Sequence, residues 1–266
     1  MFFDFINHAI YNTYVMKTFA QNHPIWFAIL VFVAESLLAI PFVVIFKVFK
    51  LDIEPLRLMI PIAQSVFVLW VIYLLGWLKQ VGFVSRVKNV HLLGLPLLLA
   101  FAPFLLYGTV AIAVQGVLFY TLAVLFTGIS EEGLARGIIL RTLLPKGLWV
   151  AILGAGVLFS VSHFSNLFFA EMILIDLLEV LLNTFGFAVL YGALFLRTLN
   201  IYPLMVLHTL HDFAFVVSGT AGPFTTQPLP TSMHIAGALI SILFGVYLVR
   251  NLDAVEILKE MSSDSK

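Results

Sequence analysis

Beyond residue 23 the chain alternates long apolar runs with short polar breaks. Eight runs stand out, at 24–48, 57–79, 94–107, 111–142, 148–166, 171–197, 201–217 and 233–250. An α-helix needs about 20 mostly apolar residues to cross a bilayer core, and most of these runs approach or exceed that length. Each therefore predicts a membrane helix. The third, 94–107, is short and carries Pro96 and Pro103, so it is expected to be half-inserted or kinked. The fourth, 111–142, is too long to stand upright and must tilt or extend beyond the bilayer. Ahead of the runs, Phe2, Phe3, Ile6, Ile10 and Tyr14 recur at helical spacing, and 1–22 reads as an interfacial segment lying on the membrane. Asp4 comes early and Lys17 late, the reverse of a cleavable signal. A polar tail, 252–266, follows, and its last six residues, MSSDSK, read as disordered. No internal repeat and no long linker divides the chain. The expected fold is all-α, a polytopic integral membrane protein with about eight transmembrane helices in one membrane domain over 1–266.

Composition agrees. Of 266 residues, 62% are hydrophobic and 11% charged, where a soluble domain carries roughly 25% charged residues. Net charge is zero, so nothing suggests a nucleic-acid partner; the lipid bilayer is the expected surrounding. There are no cysteines, which removes disulfides, thiolate catalysis and cysteine metal sites. With an even number of spans, Lys17, Lys79, Arg86, Lys88, Arg141, Lys146, Arg197, Arg250, Lys259 and Lys266 share one side. Only Lys47, Lys50 and Arg57 fall opposite, diluted by Asp52 and Glu54. Both termini are therefore expected in the cytoplasm, the membrane being the plasma membrane in a bacterial cell.

Ionisable groups inside apolar runs are costly and mark function. Three clusters separate by spacing. In the first, EEGLAR, Glu132 and Arg136 are four apart and can pair on one helix face. Glu131, rotated by about 100° from Glu132, has no partner in sequence and is free to act as a general base. Glu132 and Arg136 also fit a purely structural clamp between helices. In the second, LFSVSHFSN, Phe159 and His163 are four apart; a lone histidine here also fits an ordinary helix contact. In the third, LMVLHTLHDF, His208, His211 and Asp212 can share one face, where a carboxylate orients an imidazole or both hold a metal. Asp176 and Glu179 suit a water-lined position. Glu35 stands alone in the first run and reads best as a hydrogen bond to a neighbouring helix.

Taken together, EExxxR at Glu131–Arg136, FxxxH at Phe159–His163 and HxxxD at His208–Asp212 resemble the CAAX prenyl protease and bacteriocin-processing family, whose members include the type II CAAX prenyl endopeptidases and lysostaphin-resistance-protein-A-like proteins. The motif-bearing core is 111–217. The resemblance implies an intramembrane endopeptidase with its catalytic site inside the helix bundle. It implies that Glu131 and His163 activate water, that Glu132 and Arg136 support the site, and that His208 and Asp212 lie near the oxyanion. Phe159 and His211 are expected to support. Relatives of this kind are described both as metalloproteases and as metal-independent glutamate enzymes. A divalent metal such as zinc, if present, would be held by Glu131, His163, His208 and Asp212, although four protein ligands crowd the position that a catalytic zinc keeps for water.

Two features depart from the relatives. Gly133, Leu134 and Ala135 stand where bulky aromatic residues are common, which widens the pocket or lets a neighbouring helix approach. Asp212 stands where asparagine is common, and an ionised carboxylate only accepts hydrogen bonds. More of the oxyanion role then passes to His208. In this reading Glu131 serves water, and Glu132 with Arg136 holds Glu131 in place. The implied substrates are peptides or proteins, prenylated or carrying leader or precursor segments, in CAAX-type processing or in peptide and bacteriocin maturation or immunity. Two rivals use the same residues: a proton relay in a transporter, without the inverted repeat many transporters show, and a non-catalytic scaffold or immunity protein on the same fold.

Overall fold

A computed structural model describes residues 13–52, 54–165, 174–218 and 231–263. It consists of helices and their connections, with no strand among the described residues. A backbone in hydrocarbon must satisfy its own N–H and C=O groups, and helices do so within each segment.

All eight apolar runs contain a helix. After α1, over 13–22, α2 spans Pro24–Leu37 and continues through Ala39–Val48. Helix α3 is Leu56–Leu75, α4 is Gly94–Tyr107, and α5 runs over Val114–Lys146. Helices α6 (Leu148–Ser162), α7 (Leu174–Thr198), α8 (Tyr202–Val217), α9 (Thr231–Val249) and α10 (Ala254–Ser263) complete the chain. Four of these segments, Pro24–Val48, Leu56–Leu75, Val114–Lys146 and Leu174–Thr198, are long and apolar enough to cross a membrane alone, and α9 with α10, bent by 76°, is a fifth candidate. Helices α4, α6 and α8 are apolar but shorter. Helix α4 runs as one helix through Pro103.

The interfacial reading of 1–22 falls largely on residues 1–12, which lie outside the described residues, as do 264–266 of the tail. Met261–Ser263, expected to be disordered, close a helix instead. Ala254–Ser263 is helical, and Ile257 and Met261, four apart, are buried against the core. Their spacing gives this polar segment one apolar stripe, which is enough to dock it.

Helix α5 sits between α3 and α8, while α7 packs against α6 and α9. The segment Gly133–Leu140 of α5 is π-helical and buried at every position. It meets α6, α3, α7 and α2. Glycine permits the closest of these approaches. A Cβ on Gly133 would lie 2.5 Å from Val68 Cγ1 of α3, and one on Gly186 of α7 would lie 2.8 Å from Ala238 Cα of α9. Large apolar side chains such as Trp26, Val66, Leu118 and Leu243 point outward, as a lipid-facing surface requires.

The cationic loops gather at one end of the bundle. Lys88 Nζ meets Glu260 at 2.6 Å, Arg141 Nη2 donates to Gln80 Oε1 at 2.6 Å, and Arg197 Nε donates to the Leu248 carbonyl at 2.6 Å. At the other end, Tyr120 Oη donates to Glu54 at 3.1 Å, and Arg57 pairs with Glu54 at 3.0 Å.

Candidate active site

Each motif rides on a different helix, and the packing of α5, α6 and α8 around α7 brings them together. Glu131 and Glu132 close the α-helical part of α5, and Arg136 lies on the π-helical segment after it. Phe159 is on α6, and His163 starts the 3-10 turn that ends it. His208, His211 and Asp212 lie on α8.

The centre is a buried ion pair. The Arg136 side chain is 2% exposed and that of Glu132 is fully buried; Arg136 Nη1 donates to Glu132 Oε1 at 3.0 Å. Arg136 Nη2 donates to the Ala188 carbonyl of α7 at 3.3 Å, so the guanidinium ties α5 to α7. Its Cζ lies 4.9 Å from the centre of the Phe159 ring and 5.5 Å from that of Tyr191, contacts that favour a desolvated cation. Glu132 Oε1 also accepts from His208 Nδ1 at 2.7 Å. The pair thereby fixes His208 across 76 residues of sequence.

That bond decides the rest of the imidazole. With Nδ1 committed to Glu132, Nε2 points the other way, 3.5 Å from Glu131 Oε2 and 3.4 Å from Asp212 Oδ2. Orientation of His208 thus falls to Glu132, and Asp212 flanks the working nitrogen. Asp212 also meets His211 Nδ1 at 3.4 Å, and His211 is packed between the rings of Phe187 and Phe215, each at 4.9 Å.

His163 is set by its own backbone. A carbonyl only accepts, so the 3.0 Å contact with the Phe159 carbonyl places the hydrogen on Nδ1 and leaves the Nε2 lone pair free. Its ring packs 5.3 Å from that of Phe159. Phe159 and His163 form the partition between two cavities. One, of about 310 Å³, is lined by Glu131 with Leu134, Ala135 and Ile139 and by Glu35 from α2. The other, of about 130 Å³, holds His208, His211 and Asp212 beside Tyr191. Glu131, with a side chain 31% exposed, opens into the larger one.

All eight predicted site residues are thus assembled around these two cavities. Asp176 and Glu179 line neither. Three contributors escaped sequence reasoning. Tyr191 looks like any aromatic in an apolar helix. Asn183 and Thr184 line the smaller cavity without a motif to mark them. Glu35 was expected to bond a neighbouring helix; instead it faces the larger cavity, and no hydrogen-bond partner among the described residues meets its carboxylate.

The residues do not fit a metal as arranged. No three His, Asp or Glu side chains among the described residues converge as ligands of one ion. Glu131 lines the larger cavity, His208 and Asp212 the smaller one, and His163 both.

What the constellation offers is acid–base chemistry: a half-buried carboxylate and a free imidazole nitrogen on one cavity, with a second imidazole locked by a buried ion pair. Residues 113–214, which contain every motif residue, match the model of the family described as Type II CAAX prenyl endopeptidase Rce1-like. No curated protein and no solved structure matches the chain.

Proposed function

We propose, from the match of residues 113–214 to the model of the Rce1-like family of type II CAAX prenyl endopeptidases, that the chain hydrolyses a peptide bond at the membrane with water activated by Glu131 and His163. Such a family is a family of proteases, and its substrate is a peptide or protein met in a lipid surrounding.

The observation that carries the reading is the division of labour between the two glutamates. Glu132 is fully buried and spent on Arg136 and His208. Glu131 is exposed to the larger cavity, which His163 also lines. A water there gives its proton to Glu131, with His163 Nε2 accepting a hydrogen bond, and attacks the scissile carbonyl. His208 Nε2, carrying a proton, donates to the developing oxyanion, which sits in place of the long contacts to Glu131 and Asp212. Asp212 accepts only, so it holds charge on His208 and does not itself bind the oxyanion. The proton on Glu131 passes to the leaving amine, and the peptide bond breaks into a carboxylic acid, which keeps the other proton of the water, and an amine.

The residue identities at 133–135 serve both expected ends. Gly133 lets α3 approach, and Leu134 and Ala135 leave room in the larger cavity. The gathering of cationic loops at one end of the bundle supports an orientation with both termini in the cytoplasm.

The test is incubation of detergent-purified wild type with a pool of peptides in mixed micelles, with and without chelator, read by product masses. Cleavage that persists in chelator assigns the reaction to the glutamate and histidine. Cleavage that chelator abolishes assigns a metal and overturns this mechanism. A folded protein that cleaves nothing, including prenylated and leader-type peptides, overturns the peptidase reading.

A further inference from the structure

Glu35 is the one carboxylate of α2, whose first part, Pro24–Leu37, is otherwise built of apolar and small residues. It is 6% exposed. Its side chain forms the wall of the 310 Å³ cavity that Glu131 and His163 also line, and no hydrogen bond or ion pair meets it among the described residues. No lysine or arginine lines this cavity. A buried carboxylate without a partner is costly unless something brings the compensating charge.

The walls say what that something is. Phe32 and Ala39, three residues before and four after Glu35, share its face of α2, and Ser36 next to it also reaches the cavity wall. Gln64 of α3 adds an amide, and Leu134 and Ile139 of α5 add an apolar wall. The cavity is at the small end of the range that holds ligands, about 300–1,000 Å³. An apolar sleeve ending in a carboxylate, a hydroxyl and an amide suits a side chain with a methylene stem and a cationic head.

We propose that this cavity is a subsite for a Lys or Arg side chain of the substrate, with Glu35 as its counter-ion and Gln64 and Ser36 as additional acceptors. The meaning of the site rests on the peptidase reading, but its occupancy is testable without turnover. Bound there, the cationic residue places its backbone beside Glu131 and His163, so Glu35 sets which bond is cut.

The test uses the full chain in detergent and two probes of the same shape, N-butylguanidinium and neutral N-butylurea, titrated by calorimetry. A charged hydrogen bond in place of a neutral one makes the cation bind at least about tenfold more tightly than the urea. Glu35→Gln, which keeps the shape, erases the difference and leaves urea affinity unchanged. Equal affinity in the wild type, no detectable binding of the cation at high millimolar concentration, or a preference that survives Glu35→Gln overturns the proposal. A parallel cleavage arm uses peptide pairs that differ by Lys against norleucine near the scissile bond. A Glu35-dependent cation preference in binding without cleavage of any peptide keeps the subsite and removes the peptidase reading. Cleavage with no preference for the lysine peptide does the reverse.

Discussion

Replacing Arg136 with methionine keeps an unbranched side chain of similar length and removes the charge. Glu132 is then left fully buried, its Oε1 holding only the 2.7 Å bond from His208, and its Oε2 already without a protein partner. The substitution deletes the 3.0 Å bond to Glu132 and the 3.3 Å bond to the Ala188 carbonyl. It also deletes two ring contacts, at 4.9 and 5.5 Å. Removing one partner of a buried ion pair costs about 3–5 kcal/mol, and desolvated cation–ring contacts add up to about 2 kcal/mol. Against a total stability on the order of 5–15 kcal/mol, that loss is large enough to lower the yield of folded protein. If the loss comes from stranding Glu132, then Glu132→Gln in the Arg136→Met background should give back part of it, a coupling of about 1–3 kcal/mol. The assay is a double-mutant cycle of unfolding in mixed micelles, followed by tryptophan fluorescence. Additive effects of the two substitutions, or an Arg136→Met cost below about 1 kcal/mol, would show that Arg136 packs without pairing and would refute the clamp.

Other substitutions probe the remaining parts. His208→Gln removes the donor to Glu132 and the group aimed at the oxyanion; turnover is expected to fall about 10²–10³-fold, with about 1–3 kcal/mol lost from stability as Glu132 gives up a bond, both read by cleavage rates and unfolding. Asp212→Asn keeps an acceptor beside His208 and gains a donor, so the variant should fold and retain turnover within about tenfold, whereas Asp212→Leu should not; equal activity of the two would remove Asp212 from the site. Gly133→Ala forces a methyl to within 2.5 Å of Val68 Cγ1 and should cost about 1–3 kcal/mol by overpacking, partly recovered by Val68→Ala in the same unfolding assay.

The helices and the site residues were legible for one reason, that polar groups are scarce in this chain. In 62% hydrophobic sequence, a pair such as Glu131–Glu132 or a triplet such as His208, His211 and Asp212 stands out without any structure. What did not show was which of them meet. Local spacing joins His208 to Asp212, and that contact exists at 3.4 Å, but the shorter one, at 2.7 Å, goes to Glu132 on another helix. No periodicity within α8 encodes it. The π-helical segment at Gly133–Leu140 was equally silent: no residue pattern in the sequence marks it. Glu35 was visible as an anomaly but not as a cavity residue; a lone carboxylate on a helix reads the same whether it faces a neighbour or a space. The docking of α10 was missed because two apolar residues, Ile257 and Met261, carry it within a segment of polar average.

The central claim is that Glu131, and not its neighbour, serves the water. The direct measurement is turnover by folded Glu131→Gln beside wild type, on the same peptide, in the same micelles, with unfolding midpoints recorded for both. Among the described residues Glu131 has only the 3.5 Å contact with His208 as an ion pair, and it is half-buried at the cavity, so the variant should melt within a few degrees of wild type and leave product formation at background. A folded Glu131→Gln that cleaves at the wild-type rate would contradict the account.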